Sequence, residues 1–560
     1  MLTSEQDNLV KIYERSFRNH WSLEAITDYG TTRTLTYGAV AEQIDKLHRL
    51  FAALGIAKGD KIAVMGRNNC NWVTVYLASL TYGAIIVPIL QDFKPNDATH
   101  IINHSDSRLL FISDAIWEGM DLEQIEMVQA VFSLTDMHRI ATRADESVTW
   151  EMVCQAFEQQ YPNGMTPDDV HYDDRPNSDI ASINYTSGTT GFSKGVITPC
   201  NALASHLKFF FTTGRIFQGC RHVAFLPLAH AYGCIVDFLG SLAAGGHTYF
   251  IGRTPAPKIL LQAFKEVQPT LILSVPLILE KIYKKQIAPQ IAKAPVSWVL
   301  KVPYLSDFVL DKIRQQLLDA FCLSGEHAQI IIGGAPLNKE VEDFLYRIKF
   351  PMTVGYGMTE CAPLIAWSAW GESRVGSCGK VLDGYMEARI VDPNEEGIGE
   401  IQVRGEHVMA GYYKNEQATA EVFTEDGWLR TGDLGVIDND GFLYIRGRNK
   451  TMLLSANGQN IYPEEIEAKL NNMPYVAESI VLQHDNLLFA LVYPDYDAVD
   501  QGHLTKDMLE QAMEQVRIDL NQQLASYEQI AKIRLYPHEF EKTPKKSIKR
   551  FLYTSMTEDF

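Results

Sequence analysis

Up to about residue 445, short apolar runs alternate with segments whose apolar positions return at helical spacing. The runs fall at 61–66, 84–87, 109–112, 130–134, 222–226, 247–251, 270–274 and 329–333. Alternation of this kind predicts parallel sheets covered by helices. The stretch 72–90 is uncharged and long enough to be compared with a membrane span. Gly83 and Pro88 divide it, however, so it is read as a helix over about 71–82 followed by a strand over about 84–88. From Gly399 to about Ile445 short strands and turns dominate, as in a small barrel-like subdomain, and Asp438-Asn439-Asp440-Gly441 is a hairpin turn. A boundary is expected near Lys450, with a small α+β domain from there to Phe560. The predicted fold class is therefore α/β: a large N-terminal domain of parallel-rich sheets over residues 1–449, then a small α+β domain over 450–560.

Composition narrows the class. A chain of 560 residues exceeds the usual size of a single core, and 46% hydrophobic with 21% charged residues describes an ordinary globular protein. A net charge of −19 argues against a general nucleic-acid binder, which needs a basic face, although a local cationic groove is compatible with it. The eight cysteines lie far apart without a Cys-x-x-Cys pair, so neither a zinc site nor a disulfide framework is indicated. A reducing cytoplasm fits this usage. The acidic, polar start Met1-Leu2-Thr3-Ser4-Glu5 has the wrong character for a secretory signal.

One segment concentrates chemistry. Tyr185-Thr186-Ser187-Gly188-Thr189-Thr190-Gly191-Phe192-Ser193-Lys194-Gly195 packs three glycines, five Ser/Thr hydroxyls and a lysine together. Glycines let the backbone amides approach an anion, hydroxyls add hydrogen bonds, and the lysine supplies a mobile positive charge, which suits a polyphosphate. The spacing is not that of the Walker loop. Alone, such a run is as readily a flexible connection. Four later motifs change that balance: Gly355-Tyr356-Gly357-Met358-Thr359-Glu360, Thr431-Gly432-Asp433, Arg446-Gly447-Arg448-Asn449-Lys450 and Gly458-Gln459-Asn460-Ile461-Tyr462-Pro463.

In this order the motifs resemble the adenylate-forming superfamily of acyl- and aryl-CoA synthetases, peptide-synthetase adenylation domains and luciferases. The resemblance runs from Thr36-Tyr37 to Lys549-Arg550. It implies that Lys194, Thr186, Ser187, Thr189 and Thr190, spaced by Gly188 and Gly191, hold the β- and γ-phosphates of ATP. Ser193 stands where the family usually has proline, which loosens the loop without removing a contact group. Gly333-Gly334-Ala335-Pro336 resembles the segment lining the adenine site, with Tyr356 and Gly357 beside it and the tyrosine as stacking platform. Glu360 is implied as the Mg2+ ligand and Thr359 as a contact to the α-phosphate. A carboxylate beside a hydroxyl is what a hard cation bridging phosphates requires. Asp433 is implied to accept from both ribose hydroxyls, and Arg448 to bind ribose or α-phosphate with its planar fork. His230, in Leu226-Pro227-Leu228-Ala229-His230-Ala231-Tyr232-Gly233, matches the acyl-pocket segment, together with Gly333. Each residue has a plainer use, as a turn aspartate, a helix-start pair or a packed histidine.

The same resemblance implies a mobile C-terminal lid hinged at Lys450, with Gly458 facing the pantetheine of coenzyme A. One departure stands out. The family carries a lysine near its C-terminus, in a Lys-Ile-x-Arg pattern after proline. In Thr543-Pro544-Lys545-Lys546-Ser547-Ile548-Lys549-Arg550, anchoring on Ile548 and Arg550 puts Ser547 at that position. Either a register shift lets Lys546 or Lys545 act, or no lysine fills the role. The implied activity is an ATP-dependent acid–CoA ligase using ATP, Mg2+ and coenzyme A. Segments 276–283 and 460–463 look most like the long-chain fatty acid branch. An aryl-acid or carrier-protein ligase, or a protein that binds ATP or acyl-AMP with little turnover, are the alternatives. The expected partners are small molecules, with no nucleic acid and no transmembrane segment. Transient membrane contact is compatible with this, and the oligomeric state stays open.

Overall fold

The computed structural model describes residues 8–186, 194–253, 256–292, 305–323, 328–449, 451–454, 460–485, 487–543, 548–554 and 556. Two large sheets form the body. In the first, the order is Gly411–Tyr412, Lys194–Pro199, Ile180–Thr186, Ile85–Ile89, Lys61–Met65, Ser107–Ile112, Ala130–Ser133 and Arg139–Thr142. Its central five strands run parallel, and the strands at both edges are antiparallel. In the second, Met352–Val354, Gln329–Ile332, Leu271–Ser274, Arg221–Ala224, His247–Phe250 and Glu24–Asp28 are parallel, and Thr34–Thr36 closes the edge antiparallel.

All eight apolar runs are strands. The divided segment also behaves as expected: Cys70–Tyr82 is a helix and Ile85–Ile89 a strand. Asn69 caps the helix by accepting from Trp72 N at 2.8 Å, and Gly83 stops it in the left-handed conformation at φ 93°. Nearly every residue of this helix is buried, because it lies between the two sheets: Trp72 stacks on Tyr76 at 5.6 Å, and both meet the edge of Phe238. The core that results joins side chains of both sheets. Among the described residues no helix is long and apolar enough to cross a membrane.

Beyond the second sheet, Met386–Val391, Gly399–Gly405, Leu429–Ile437 and Leu443–Arg448 form an antiparallel sheet. Its last hairpin turns where Asp438 Oδ1 accepts from Asp440 N and Phe442 N, each at 2.9 Å, and Gly441 takes φ 85°. A Lys380–Phe442 bridge joins it to the small sheet of Tyr356–Gly357, Leu364–Trp367 and Lys380–Val381. The C-terminal part has its own core, in which helices Pro463–Leu470 and Lys506–Asn521 cover the sheet Val476–His484, Leu487–Pro494 and Ile530–Leu535. A large N-terminal domain thus precedes a small α+β domain. They touch where Asn338 Nδ2 donates to Asn472 Oδ1 at 2.6 Å.

Glu342, on helix Lys339–Arg347, is 4% exposed and accepts from Gly376 N at 2.9 Å. Burial pushes its carboxyl up to about 7, against the pull of that amide. The folded state therefore binds this proton more tightly than the unfolded chain. Its contribution is complete below the ordinary glutamate value of about 4.3 and is lost as pH rises through about 7. Glu342→Gln keeps an acceptor for Gly376 and should flatten this slope in the pH dependence of the thermal midpoint. An unchanged slope would assign it to other groups.

Candidate active site

Thr186 ends one strand and Lys194 begins the next, and the two pair across the hairpin. Ser187, Gly188, Thr189, Thr190 and Gly191 lie outside the described residues. On its other side the strand Lys194–Pro199 pairs with Gly411–Tyr412, Tyr412 opposite Val196. This register sets the Tyr412 ring beside Lys194, whose Nζ is 4.8 Å from the ring centroid. The Tyr412 hydroxyl donates to Glu360 Oε1 at 2.9 Å. Burial, reinforced by the Glu360 carboxylate, holds the phenol well above its usual range, so it remains a donor. Glu360 sits in the one-turn helix Thr359–Cys361, fastened by Met409 N donating to its carbonyl at 2.8 Å. Lys194, Tyr412 and Glu360 thus form one connected group.

A second group lies at the carboxyl end of the seven-stranded sheet. Gly333-Gly334-Ala335-Pro336 follows strand Gln329–Ile332, with Gly334, Ala335 and Pro336 exposed and Gly334 at φ 87°. Gly355 N donates to Ile332 O at 2.8 Å and delivers the chain to Tyr356 beside this turn. A Cβ on Gly357 would lie 2.2 Å from Pro363 O, so only glycine fits there. Tyr356 is buried and donates from its hydroxyl to Asp433 Oδ2 at 2.6 Å. Arg448, opposite Asp433 in the hairpin, meets Oδ1 with Nε at 3.0 Å. Burial raises the proton affinity of Asp433, and Arg448 and Tyr356 oppose it. Both carboxylate oxygens already have a partner. Their remaining lone pairs leave room for further donors, and the exposed face of Arg448 opens the group to a ligand.

A narrow apolar cavity of about 30 Å³ has Leu271 and Ile331 of the seven-stranded sheet, Leu364 and Trp367 of the small sheet, and Phe209 and Tyr232 in its wall. Tyr232 lines it and fixes its hydroxyl on Ile331 O at 3.0 Å. His230 is half-buried two residues earlier and Gly333 packs against the Tyr232 ring, where a Cβ would come within 3.1 Å; neither is itself a lining residue. Buried Asn68 holds the His230 loop, donating to Leu226 O at 2.8 Å and accepting from Leu228 N at 2.9 Å. Neither Asn68 nor Tyr412 carries a local signal, since each acts through a partner distant in sequence.

Lys450, Gly458, Lys545, Lys546 and Ser547 lie outside the described residues. Arg550, which anchors the register of the last motif, is tied to the buried carboxylate of Glu467. Among the described residues no cluster of three His, Cys, Asp or Glu side chains is placed to hold a metal. The Glu360 carboxylate beside the Thr359 hydroxyl nevertheless fits Mg2+. That ion takes one or two protein oxygens and completes its shell with phosphate and water.

The AMP-binding enzyme family matches residues 13–413. A long-chain-fatty-acid–CoA ligase of Mycobacterium bovis is 29% identical over 509 residues, covering 85% of this chain and 80% of that protein. Another, from Mus musculus, is 29% identical over 490 residues, covering 80% and 71%. Among solved structures, ATP-bound MatB from Rhodopseudomonas palustris superposes with a TM-score of 0.74 at 22% identity, covering 99% of each chain. O-succinylbenzoate coenzyme A synthetase from Bacillus subtilis, in complex with ATP and magnesium ion, gives 0.72 at 21%, covering 96% and 98%. The chain belongs to the AMP-binding enzyme family, in the acyl-CoA synthetase branch of the adenylate-forming enzymes, and is an acid–thiol ligase.

Tyr412→Phe keeps a ring beside Lys194 but removes the donor to Glu360. Losing a hydrogen bond to a charged group costs about 1.5–3 kcal/mol, so ATP–pyrophosphate exchange should fall roughly 10- to 100-fold. Tyr412→Leu, which also removes the ring, should fall further. Wild-type exchange in Tyr412→Phe would mean that Glu360 does not depend on this contact.

Proposed function

We propose that the protein is an ATP-dependent, AMP-forming acid–CoA ligase for long- or medium-chain fatty acids. The observation that carries this reading is that Pro363 and Leu364, a few residues beyond the Glu360 of the Lys194–Tyr412–Glu360 group, stand in the wall of an apolar cavity. The long-chain acyl relatives support the choice of acid.

In the first half-reaction a carboxylate oxygen of the acid bonds to the α-phosphorus of ATP. The bond from that phosphorus to the bridging oxygen breaks, and pyrophosphate leaves. Lys194, with Thr186, Ser187, Gly188, Thr189, Thr190 and Gly191, neutralises the β- and γ-phosphates. Thr359 steadies the α-phosphate, and Glu360 holds Mg2+, which supplies charge neutralisation when bound. Gly334, Ala335, Pro336, Tyr356 and Gly357 form the adenine side of the site, and Asp433 with Arg448 takes the ribose. His230 and Gly333 shape the acid pocket from behind Tyr232. Such catalysis is mostly positioning and preorganised charge.

In the second half-reaction the thiol sulfur of coenzyme A bonds to the acyl carbon, and AMP leaves with the carboxylate-derived oxygen. The domains divide at 449/450, with residues 450–560 as a lid that turns about Lys450 and brings Gly458 to the pantetheine. Lys546 serves the first arrangement, by a one-residue shift from the position held by Ser547. The aromatic wall of Phe209, Tyr232 and Trp367 favours a second reading, in which the acid is aryl.

Pyrophosphate release measured over a panel of fatty and aryl acids, with and without coenzyme A, tests the activity. Release that depends on an acid, with thioester formed only when the thiol is present, is expected. No release with any acid would leave a nucleotide-binding protein instead. Lys194→Ala and Glu360→Ala should each lose roughly 10²- to 10³-fold in the adenylation half-reaction. Lys450→Pro removes an amide and fixes φ, so thioester formation from supplied acyl-AMP should suffer more than adenylation. Equal loss of both half-reactions would remove the hinge from residue 450.

A further inference from the structure

The apolar cavity carries one cation in its wall. Arg215 follows helix Cys200–Thr213 and its left-handed cap Gly214, and its guanidinium carbon lies 5.6 Å from the centroid of the Trp367 ring. The Nε of this side chain is enclosed and makes no hydrogen bond. No acidic residue is among those lining the cavity.

The other arginines that stack on aromatic rings show what is unusual here. Arg389 and Arg404 lie over Trp428 at 4.5 and 4.6 Å, and each also meets a carboxylate, Asp426 at 2.7 Å and Glu387 at 2.8 Å. Arg374, over Phe442, meets Asp438 and Asp440, and Arg49, over Tyr161, meets Asp45. Arg215 alone of these five has no carboxylate partner among the described residues. Stacking uses the face of a guanidinium and leaves its edge of N–H donors to be satisfied. Arg215 is half-buried, and it is the Nε donor that is withdrawn from water here, at a cost in free energy until an acceptor reaches that edge of the guanidinium.

The position of Arg215 says which acceptor. Leu271 begins strand Leu271–Ser274 and pairs with Gln329, whereas Ser274 O accepts from Gly333 N at the far end of that strand. Trp367 likewise lies three residues beyond Leu364, the partner of Gly357. Three strand residues span about 10 Å, which separates the end of the cavity beside Arg215 from the end beside the Glu360 turn. We propose that Arg215 is a specificity-determining residue that reads an oxygen function at the end of the acid remote from the reacting carboxylate. The preferred substrates are then apolar acids with a terminal carboxylate or hydroxyl, rather than plain fatty acids. This inference rests on the acid–CoA ligase reading.

The test is kcat/KM for pyrophosphate release on plain, ω-hydroxy and ω-carboxy acids of matched length, using the wild type, Arg215→Leu and Arg215→Lys. Hydrogen bonds to a charged group carry about 1.5–3 kcal/mol, so the wild type should favour the oxygenated acids by roughly 10- to 100-fold. Arg215→Leu should reverse that preference, and Arg215→Lys should keep part of it for the ω-carboxy acid. The wild-type panel stands even if a variant fails to fold. Turnover of plain acids by the wild type without preference for the oxygenated ones, or an Arg215→Leu ratio equal to that of the wild type, overturns the assignment and leaves the ligase reading intact. Absence of release with every acid overturns both.

Discussion

The site depends above all on where the strand Lys194–Pro199 finds its two neighbours. On one side it pairs with Ile180–Thr186, and on the other with Gly411–Tyr412. The first pairing brings together the two ends of a loop rich in glycine and hydroxyls. The second sets an aromatic ring from more than two hundred residues away beside the lysine that closes that loop, and the ring's hydroxyl then fixes Glu360. Because strand side chains alternate between faces, a slip of one residue in this ladder would turn Lys194 away from Tyr412 and dissolve the group. Backbone hydrogen bonds therefore specify the distance between a cation and a carboxylate that never touch directly.

A second constraint is the helix Cys70–Tyr82, buried on every side between the large sheets. It has no polar face because it has no solvent to face. Its side chains bring the sheets into one core. Against the seven-stranded sheet lies the cavity, walled by Phe209, Tyr232 and Trp367 together with Leu271 and Ile331.

Much of this was legible in the sequence, for identifiable reasons. Buried parallel strands need continuous apolar runs, and every such run became a strand. Gly83 marked a helix end because it takes a left-handed conformation, and Asp438 with Gly441 marked a hairpin because the aspartate can bond the turn amides. Tyr356, Asp433 and Arg448, singled out from three separate motifs, lie in one bonded group. Tyr412 and Asn68 were not legible, since their roles arise from strand order and loop contact rather than local pattern. Arg215 carries no local signal either, since its ring partner Trp367 is distant in sequence and the missing carboxylate shows only in the folded chain.

The ladder that carries Asp433 and Arg448 ends with Asn449 N donating to Gly432 O at 2.8 Å. Mechanically this is a clamp at the root of a lever. A torque applied to the chain beyond residue 449 meets a hydrogen-bonded hairpin before it reaches the Tyr356–Asp433–Arg448 group. If the C-terminal domain turns as proposed, this group stays still, and an intermediate held by it keeps its seat as one neighbouring surface is exchanged for another.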